Sequence, residues 1–294
     1  MGSRDGCPGK EQEMTRSLKK ASFAALALVI LLAALPAGAG MWEKVGGAGD
    51  QYVVAGNTLY GLFPDRQGVA IRDAAAGKWY KIGGPTRELV GGGEKLYGIS
   101  PESGDIYEYT GSGVNWTRIG GPGAQFVVAG NTLYGLFPDR QGVAKYDAAA
   151  GLWSVIGGPT RELVGGGEKL YGVSPESGDI YEYTGSGVNW KRIGGPGAQF
   201  AVAGGTLYGL FPDRQGVAKY DAAAGLWSVI SGAMNELVGG GDKLYGISPV
   251  GGDICEYTGT KWTVIGGAGA QFAAYGLSLY RLSSDKKEIY RYAE

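Results

Sequence analysis

The fold is decided by the stretch from Gln125 to Gly158, which reads QFVVAGNTLYGLFPDRQGVAKYDAAAGLWSVIGG. It contains four short apolar runs, and Gly, Pro, Asn and Asp separate each run from the next. Runs of this length that are rich in Val, Tyr, Phe and Trp predict β-strands, and none is long enough for a stable helix. The stretch therefore predicts a four-stranded antiparallel meander with strands a to d. They are Phe126–Ala129, Leu133–Phe137, Val143–Tyr146 and Trp153–Ile156.

The same unit recurs along almost the whole chain. Successive tryptophans are 37 residues apart five times and 35 residues apart once, and the Leu-Tyr pair of strand b recurs in step with them. A period near 40 residues that carries four strands is typical of a β-propeller blade. One blade cannot bury both of its faces, so neighbouring blades must cover them. The tryptophans are Trp42, Trp79, Trp116, Trp153, Trp190, Trp227 and Trp262.

The strand count predicts how the ring closes. Strands a and d each occur seven times, but the chain starts with an unpartnered strand d at Trp42–Val45 and ends with an unpartnered strand c at Ile289–Tyr292. If Trp42–Val45 becomes the outer strand of the last blade, the array has no open ends. We therefore predict an all-β, seven-bladed β-propeller of four-stranded blades over residues 41–294, closed by the N-terminal strand.

Residues 1–40 differ in kind from the rest and are interpreted as an N-terminal extension with a secretory signal peptide. Lys19 and Lys20 precede the apolar run Phe23–Leu35, and small residues follow it. This pattern predicts cleavage near Ala39, and the run is short for a transmembrane span. An uncleaved anchor is the alternative. We expect a secreted protein, extracellular or periplasmic, whose mature chain does not insert into a membrane.

The loops between strands b and c alternate between FPDRQG and SPESGD, with SPVGGD in the last copy, so the true period is two blades. These loops share one face with the links between blades, and binding residues favour loops on a rigid scaffold. We predict a ring of repeated polar sites on this face, which includes the glutamines that begin strand a at Gln51, Gln125, Gln199 and Gln271. The alternative is that the loop residues only form turns and surface ion pairs. The candidate ligand-binding residues are Asp65, Arg66, Gln67, Glu102, Asp105, Asp139, Arg140, Gln141, Glu176, Asp179, Asp213, Arg214, Gln215 and Asp253.

The composition excludes several chemistries. The chain has no histidine and two cysteines, which excludes His-based triads, His-ligated metals and Cys-rich zinc sites. A glycosidase needs one asymmetric pair of carboxyl groups, whereas the carboxylates here repeat blade by blade. The net charge of −1 indicates no nucleic-acid footprint. We therefore expect no enzymatic activity, no metal, no cofactor and no nucleic-acid partner, with a propeller hydrolase or lyase as the minor alternative.

The order of residues within each unit resembles the repeat of the tectonin and tachylectin group of β-propeller lectins. The segments NWTRIGG (Asn115–Gly121) and NWKRIGG (Asn189–Gly195) are closest to the tachylectin form. The likeness covers 42–294, but seven blades exceed the five or six usual in that group, and Leu-Tyr-Gly stands where tectonins have Val-Trp-Gly. The residues that carry it are Trp116, Ile119-Gly120-Gly121, Phe126–Ala129, Gly130, Leu133-Tyr134-Gly135, Val143 and Tyr146.

The resemblance implies recognition of sugars or lipopolysaccharide without a metal or cofactor. It leads us to expect a secreted, multivalent, lectin-like protein whose partners are cell-surface glycans or lipopolysaccharide. Several weak, equivalent sites on one rigid disc would gain avidity by linkage. The alternative is a secreted protein–protein interaction scaffold without enzymatic activity, which would use the same polar face.

Overall fold

Seven antiparallel sheets of four strands each surround a central axis in the computed structural model, which describes residues 40–293. The predicted signal peptide lies outside the described residues, except for Gly40. We number the blades I to VII; blade I holds β2–β5, each of the next five blades holds the following four strands, and blade VII holds β26–β28 with β1. This confirms the predicted all-β, seven-bladed propeller.

The strands follow the two-blade repeat in the sequence. They are β1 (Met41–Gly46), β2 (Gln51–Ala55), β3 (Thr58–Leu62), β4 (Val69–Asp73), β5 (Lys78–Gly83), β6 (Glu88–Gly92), β7 (Lys95–Ile99), β8 (Asp105–Tyr109), β9 (Trp116–Pro122), β10 (Gln125–Ala129), β11 (Thr132–Leu136), β12 (Val143–Asp147), β13 (Leu152–Gly157), β14 (Glu162–Gly166), β15 (Lys169–Val173), β16 (Asp179–Tyr183), β17 (Trp190–Pro196), β18 (Gln199–Ala203), β19 (Thr206–Leu210), β20 (Val217–Asp221), β21 (Leu226–Ser231), β22 (Glu236–Val238), β23 (Tyr245–Ile247), β24 (Ile254–Tyr257), β25 (Trp262–Gly266), β26 (Gln271–Tyr275), β27 (Ser278–Leu282) and β28 (Ile289–Ala293).

The N-terminal strand closes the ring as predicted. β1 pairs antiparallel with β28, with Met41 opposite Ala293 and Trp42 opposite Tyr292. Because β26 and β27 complete this sheet, blade VII takes three strands from the end of the chain and one from its beginning. The two ends of the described chain are thereby held in a single sheet.

The core consists of side chains between neighbouring blades. In β11 of blade III, Leu133 and Leu136 are almost fully buried, as is Val143 at the start of β12. Leu136 and Val143 pack in one cluster with Leu163 and Leu170 of blade IV. Strand b is covered on both faces, which explains why it is apolar throughout instead of alternating.

Two polar contacts also join neighbouring blades. The side-chain amide of Gln125 pairs with the backbone of Leu163 in the next blade, donating to its carbonyl oxygen at 2.9 Å and accepting from its N–H at 2.8 Å. The indole Nε1 of Trp153 donates to the carbonyl oxygen of Ile119 in the preceding blade at 2.7 Å. The glutamines therefore do not belong to the predicted ring of polar binding sites, because their side-chain amides form hydrogen bonds between blades. The same amide pairing is made by Gln51, Gln199 and Gln271.

The innermost strands of neighbouring blades approach each other closely near the axis of the ring. A β-carbon at Gly91 would lie 2.6 Å from the carbonyl oxygen of Val54 in the neighbouring blade. Real β-carbons do not approach backbone oxygens so closely, so glycine is required where these strands meet. Within residues 40–293 no helix is long and apolar enough to cross a membrane.

Candidate functional site

Four neighbouring blades carry an equivalent pocket on the face formed by the b–c loops and the links between blades. Each pocket lies between the link that enters the blade, the glycine of strand b and the tryptophan of strand d. The cavity volumes are about 230 Å³ in blades I and II, 140 Å³ in blade III and 310 Å³ in blade IV. The pockets fall into two chemical classes because the sequence period is two blades.

The pockets of blades II and IV are lined by hydroxyl groups over an aromatic floor. In blade II the lining includes Thr86, Ser100, Tyr107 and Trp116. Blade IV has the same residue types at the equivalent positions, and Glu176 also lines its pocket. The lining of the blade IV pocket includes Thr160, Ser174, Tyr181 and Trp190.

The aromatic floor is held rigidly. The indole Nε1 of Trp116 donates to the carbonyl oxygen of Ile82 at 2.7 Å, and its ring centroid lies 5.2 Å from that of Tyr109. Around it, Thr86 donates its hydroxyl to the carbonyl oxygen of Gly84 at 3.2 Å. The hydroxyl oxygen of Ser100 accepts from the backbone N–H groups of two following residues at 3.3 Å and 3.2 Å. These groups are therefore fixed by the fold before any ligand arrives.

Blade VI fills the equivalent space with its own side chain. Met234 stands where blades II and IV have Thr86 and Thr160, and it is 2% exposed. Its sulfur lies 3.0 Å from the position that a β-carbon at Gly246 would take. Blades II and IV therefore form a pair of matching polar pockets that blade VI does not repeat.

The pockets of blades I and III are aromatic instead of polar. In blade III, Phe126, Phe137 and Trp153 line the cavity. Blade I presents aromatic residues at the same three places, which are Tyr52, Phe63 and Trp79.

The predicted site residues of the FPDRQG loops mainly shape their own turns. In blade III the carboxylate of Asp139 accepts from the backbone N–H of Gln141 at 2.9 Å, and the other two loops repeat this contact. Arg140 adopts a left-handed backbone with φ of 60°, and its guanidinium donates to the carbonyl oxygen of Arg161. The corresponding residues of blades I and V are Asp65, Arg66, Gln67, Asp213, Arg214 and Gln215, and Arg66 instead bonds Asp50 at 2.6 Å.

The predicted residues of the SPESGD loops divide into two groups. Arg118 donates to Asp105 at 2.6 Å and holds the pKa of that carboxyl below its usual value, and Asp179 is placed in the same way beside its own arginine. Asp253 lacks this pair because Val264 stands where Arg118 stands in blade II. Glu176 lines the pocket of blade IV, and Glu102 is exposed in the matching loop of blade II.

The threonine, serine, tyrosine and tryptophan of the polar pockets escaped the sequence-based selection. The tryptophans recur at the same place in every blade, and this favoured packing between blades over ligand binding. One signal could have found them, because Thr86 and Thr160 are replaced by Met234 in the third copy. Among residues 40–293, no group of three or more acidic or cysteine side chains is placed to hold a metal ion.

A separate cavity of about 400 Å³ lies where the a–b turns meet around the axis, on the opposite face. Glycines form most of its wall, together with the acidic residues Glu94, Glu168 and Asp242. Burial, with a smaller contribution from Glu94 and Asp242, raises the pKa of Tyr275 at this place. Polar side chains of five blades line this cavity, whereas the loops selected from the sequence do not.

Comparison with solved structures shows the fold alone. The chain is similar to YCF48 bound to a D1 peptide (TM-score 0.61, 11% identity, covering 88% of this chain and 96% of that one). It is also similar to virginiamycin B lyase from Staphylococcus aureus (0.60, 9%, 87% and 99%). A third similar structure is the CRINKLY WD40 ectodomain of the Arabidopsis thaliana receptor kinase ACR4 (0.55, 14%, 82% and 93%). No protein-family model matches the chain, and a search of curated proteins finds no significant relative.

Proposed function

We propose that this protein is a secreted, multivalent carbohydrate-binding protein that takes glycans or lipopolysaccharide in the polar pockets of blades II and IV. The observation that carries the proposal is the matching pair of pockets. Each combines a fixed indole floor with a tyrosine, a serine and a threonine on one face of a rigid disc. The resemblance of the repeats to tectonin and tachylectin lectins supports the same ligand class.

The lining suits the two kinds of surface that a sugar presents. A pyranose ring offers an apolar C–H face and a rim of hydroxyl groups, and a concave site with an aromatic wall and a few fixed polar groups can engage both. In blade IV, Trp190 and Tyr181 supply the aromatic wall, and Glu176 adds a strong hydrogen-bond acceptor. Two such sites on one disc gain avidity toward a repetitive glycan.

A glycan array with the mature protein tests the proposal, and binding to no glycan or lipopolysaccharide would contradict it. A double variant, Tyr107→Phe with Tyr181→Phe, removes one hydroxyl group from each polar pocket. We expect it to weaken glycan binding about tenfold at most, with the fold intact, because a hydrogen bond contributes roughly 1 kcal/mol. Val188→Ala is the matched control, since Val188 is exposed on the opposite face.

The proposal includes no catalysis. Asp105 and Asp179 are ion-paired with arginines that keep them ionised, which suits neither proton donation nor an asymmetric acid–base pair. The structures of similar fold include lyases, so the expectation needs its own test. If the protein turns over a glycan and Glu176→Gln alone abolishes that turnover, the protein is an enzyme and the proposal is wrong.

Secretion is also part of the proposal. The predicted signal peptide lies outside the described residues, so the structure does not test it. The proposed mature chain begins near Gly40, directly before the closing strand β1. N-terminal sequencing of the protein recovered outside the cytoplasm tests this, and a product that keeps the run Phe23–Leu35 would favour the uncleaved anchor.

A further inference from the structure

The aromatic pocket of blade VII is occupied by the chain itself. Arg281 stands where blade III has Gly135, the glycine at the floor of its pocket. The guanidinium carbon of Arg281 lies 4.7 Å from the ring centroid of Trp42 and 5.0 Å from that of Tyr290. A planar cation is thus stacked in the space that is a cavity in blade III.

Blade I places a second cation on the same kind of surface. The Nζ of Lys81 lies 5.8 Å from the ring centroid of Phe63, an aromatic residue that lines the pocket of this blade. In blades I and VII, two of the four odd-numbered blades, a cation of the same chain therefore contacts an aromatic ring. Such a contact is attractive because the face of an aromatic ring carries partial negative charge.

Blades III and V have the aromatic groups without either cation. Gly135 and Gly209 stand at the position of Arg281, and Val155 and Val229 stand at the position of Lys81. Phe137 and Phe211 are each 36% exposed. Phe126 and Trp153 line the cavity of blade III, and blade V repeats their arrangement. The ring centroids are 6.1 Å apart for Phe126 and Trp153 and 6.2 Å apart for Phe200 and Trp227.

A carboxylate lies near the link that enters each of these two blades. Asp105 uses one oxygen for its 2.6 Å bond to Arg118, and its other oxygen lies 4.0 Å from the position of a β-carbon at Gly121, which lines the pocket of blade III. Asp179 has the same placement at Gly195 of blade V. In blade VII the matching point at Gly267 is 3.9 Å both from Asp253 and from the guanidinium of Arg281. The guanidinium of Arg281 donates to the carbonyl oxygen of Gly267 at 3.3 Å, so the cation of blade VII lies at the link that Asp253 also approaches.

We propose that the pocket of blade III and the equivalent aromatic position of blade V each bind an arginine side chain presented by a partner protein or peptide. The guanidinium stacks on the aromatic group of Trp153 or Trp227, beside the carboxylate of Asp105 or Asp179. Arginine fits better than lysine, because its planar, weakly hydrated group can stack and direct N–H groups toward a carboxylate at the same time. These pockets are distinct from the polar pockets of blades II and IV, so this site goes beyond the proposed glycan binding.

The probe is N-acetyl-L-arginine amide, and its matched control is the citrulline analogue, which has nearly the same shape but no charge. Nuclear magnetic resonance of the full-length protein follows the indole N–H signals of Trp153 and Trp227 during titration. We expect saturable shifts with the arginine probe and a response about tenfold weaker with citrulline. Equal responses to both probes would overturn the proposal.

A double variant supplies the missing cations from the chain itself. Val155→Lys with Val229→Lys copies the arrangement of Lys81 in blade I, and both positions are well exposed, so the fold should tolerate the change. We expect the affinity for the arginine probe to fall about tenfold, whereas Val155→Thr with Val229→Thr leaves it unchanged. Unchanged affinity in the lysine variant would refute the site.

The reverse change should create a third site. Arg281→Gly restores in blade VII the glycine found at this position in the other blades, and we expect the indole signal of Trp42 to respond to the arginine probe. A folded variant in which Trp42 stays silent would count against the equivalence of these pockets. Glycan binding by the lysine double variant should be unchanged, so failure of the glycan proposal and failure of this one are separate results.

Discussion

The indole Nε1 of Trp42 donates a 2.6 Å hydrogen bond to the carbonyl oxygen of Ile265, although 223 residues separate them in the chain. The same bond joins each of the next five tryptophans to the preceding blade, as Trp190 shows with Ile156 at 2.7 Å. In blade VII, however, the tryptophan comes from the first strand and its acceptor from near the end. The ordinary contact between blades therefore also closes the ring.

Removing this contact should open the ring. We expect Trp42→Ala to lower the free energy of unfolding by about 3–5 kcal/mol, because a large aromatic side chain and a hydrogen bond are both lost. Thermal or urea denaturation measures the change. Glu43→Ala is the matched control in the same strand, and as an exposed substitution it should stay within about 0.5 kcal/mol. Equal stability of the two variants would contradict closure by β1.

The fold could be predicted closely from the sequence because turn residues and one tryptophan mark each blade. Strand a was predicted at Phe126–Ala129 and runs Gln125–Ala129, and strand d was predicted at Trp153–Ile156 and runs Leu152–Gly157. The contacts between blades could not be predicted in the same way. The side chain of Gln125 reaches a strand 38 residues further on, and nothing local in the sequence distinguishes it from a surface glutamine.

Replacing the side-chain nitrogen of Gln125 by oxygen should weaken the contact between blades III and IV. Gln125→Glu keeps the shape but replaces the donor to the carbonyl oxygen of Leu163 by a carboxylate oxygen. We expect a loss of about 1–3 kcal/mol in unfolding free energy at neutral pH, and a smaller loss in acid, where the protonated carboxyl can donate again. Glu88→Gln, at the equivalent position of blade II, is the reciprocal control. A destabilisation as large in the control as in Gln125→Glu would show that the amide pairing is not its cause.

Blade VI should depend on the side chain that fills its pocket. Met234→Ala is expected to cost about 2–5 kcal/mol, because it removes a buried side chain and leaves a cavity against Gly246. Thr160→Ala, at the same position of blade IV, should cost about 1 kcal/mol or less, since that side chain borders an open pocket. Denaturation curves of the two variants measure the loss of unfolding free energy. A similar loss in both would mean that Met234 does not fill the pocket of blade VI.

The candidate site was only partly predictable. The face was identified from loop chemistry, and Glu176 was selected and does line a pocket. The loop residues Asp139 and Gln141 were selected because they are polar, repeated and outside the strands, but those are also the properties of residues that build a turn. Each pocket lining combines the link that enters the blade with residues of strands b, c and d, so their convergence depends on the register of the strands.

Acid should weaken the junction of blades VII and I. Lys286 donates to Asp50 at 2.8 Å, and this hydrogen bond, assisted by Arg66 against the smaller opposing effect of burial, lowers the pKa of Asp50 below its ordinary value of 3.8. A carboxyl whose pKa is lower in the folded state stabilises the fold above its unfolded pKa, and the stabilisation is lost as the pH falls through the folded value. Asp50→Asn removes the titrating group, so its melting temperature should lie below that of the natural protein at about pH 6. The two should converge as the pH falls below 3.8 and through the folded pKa of Asp50. Asp73→Asn serves as a control, because Asp73 is an exposed acid on the opposite face. A difference between Asp50→Asn and the natural protein that stays constant across this range would mean that the ion pair contributes nothing to the junction.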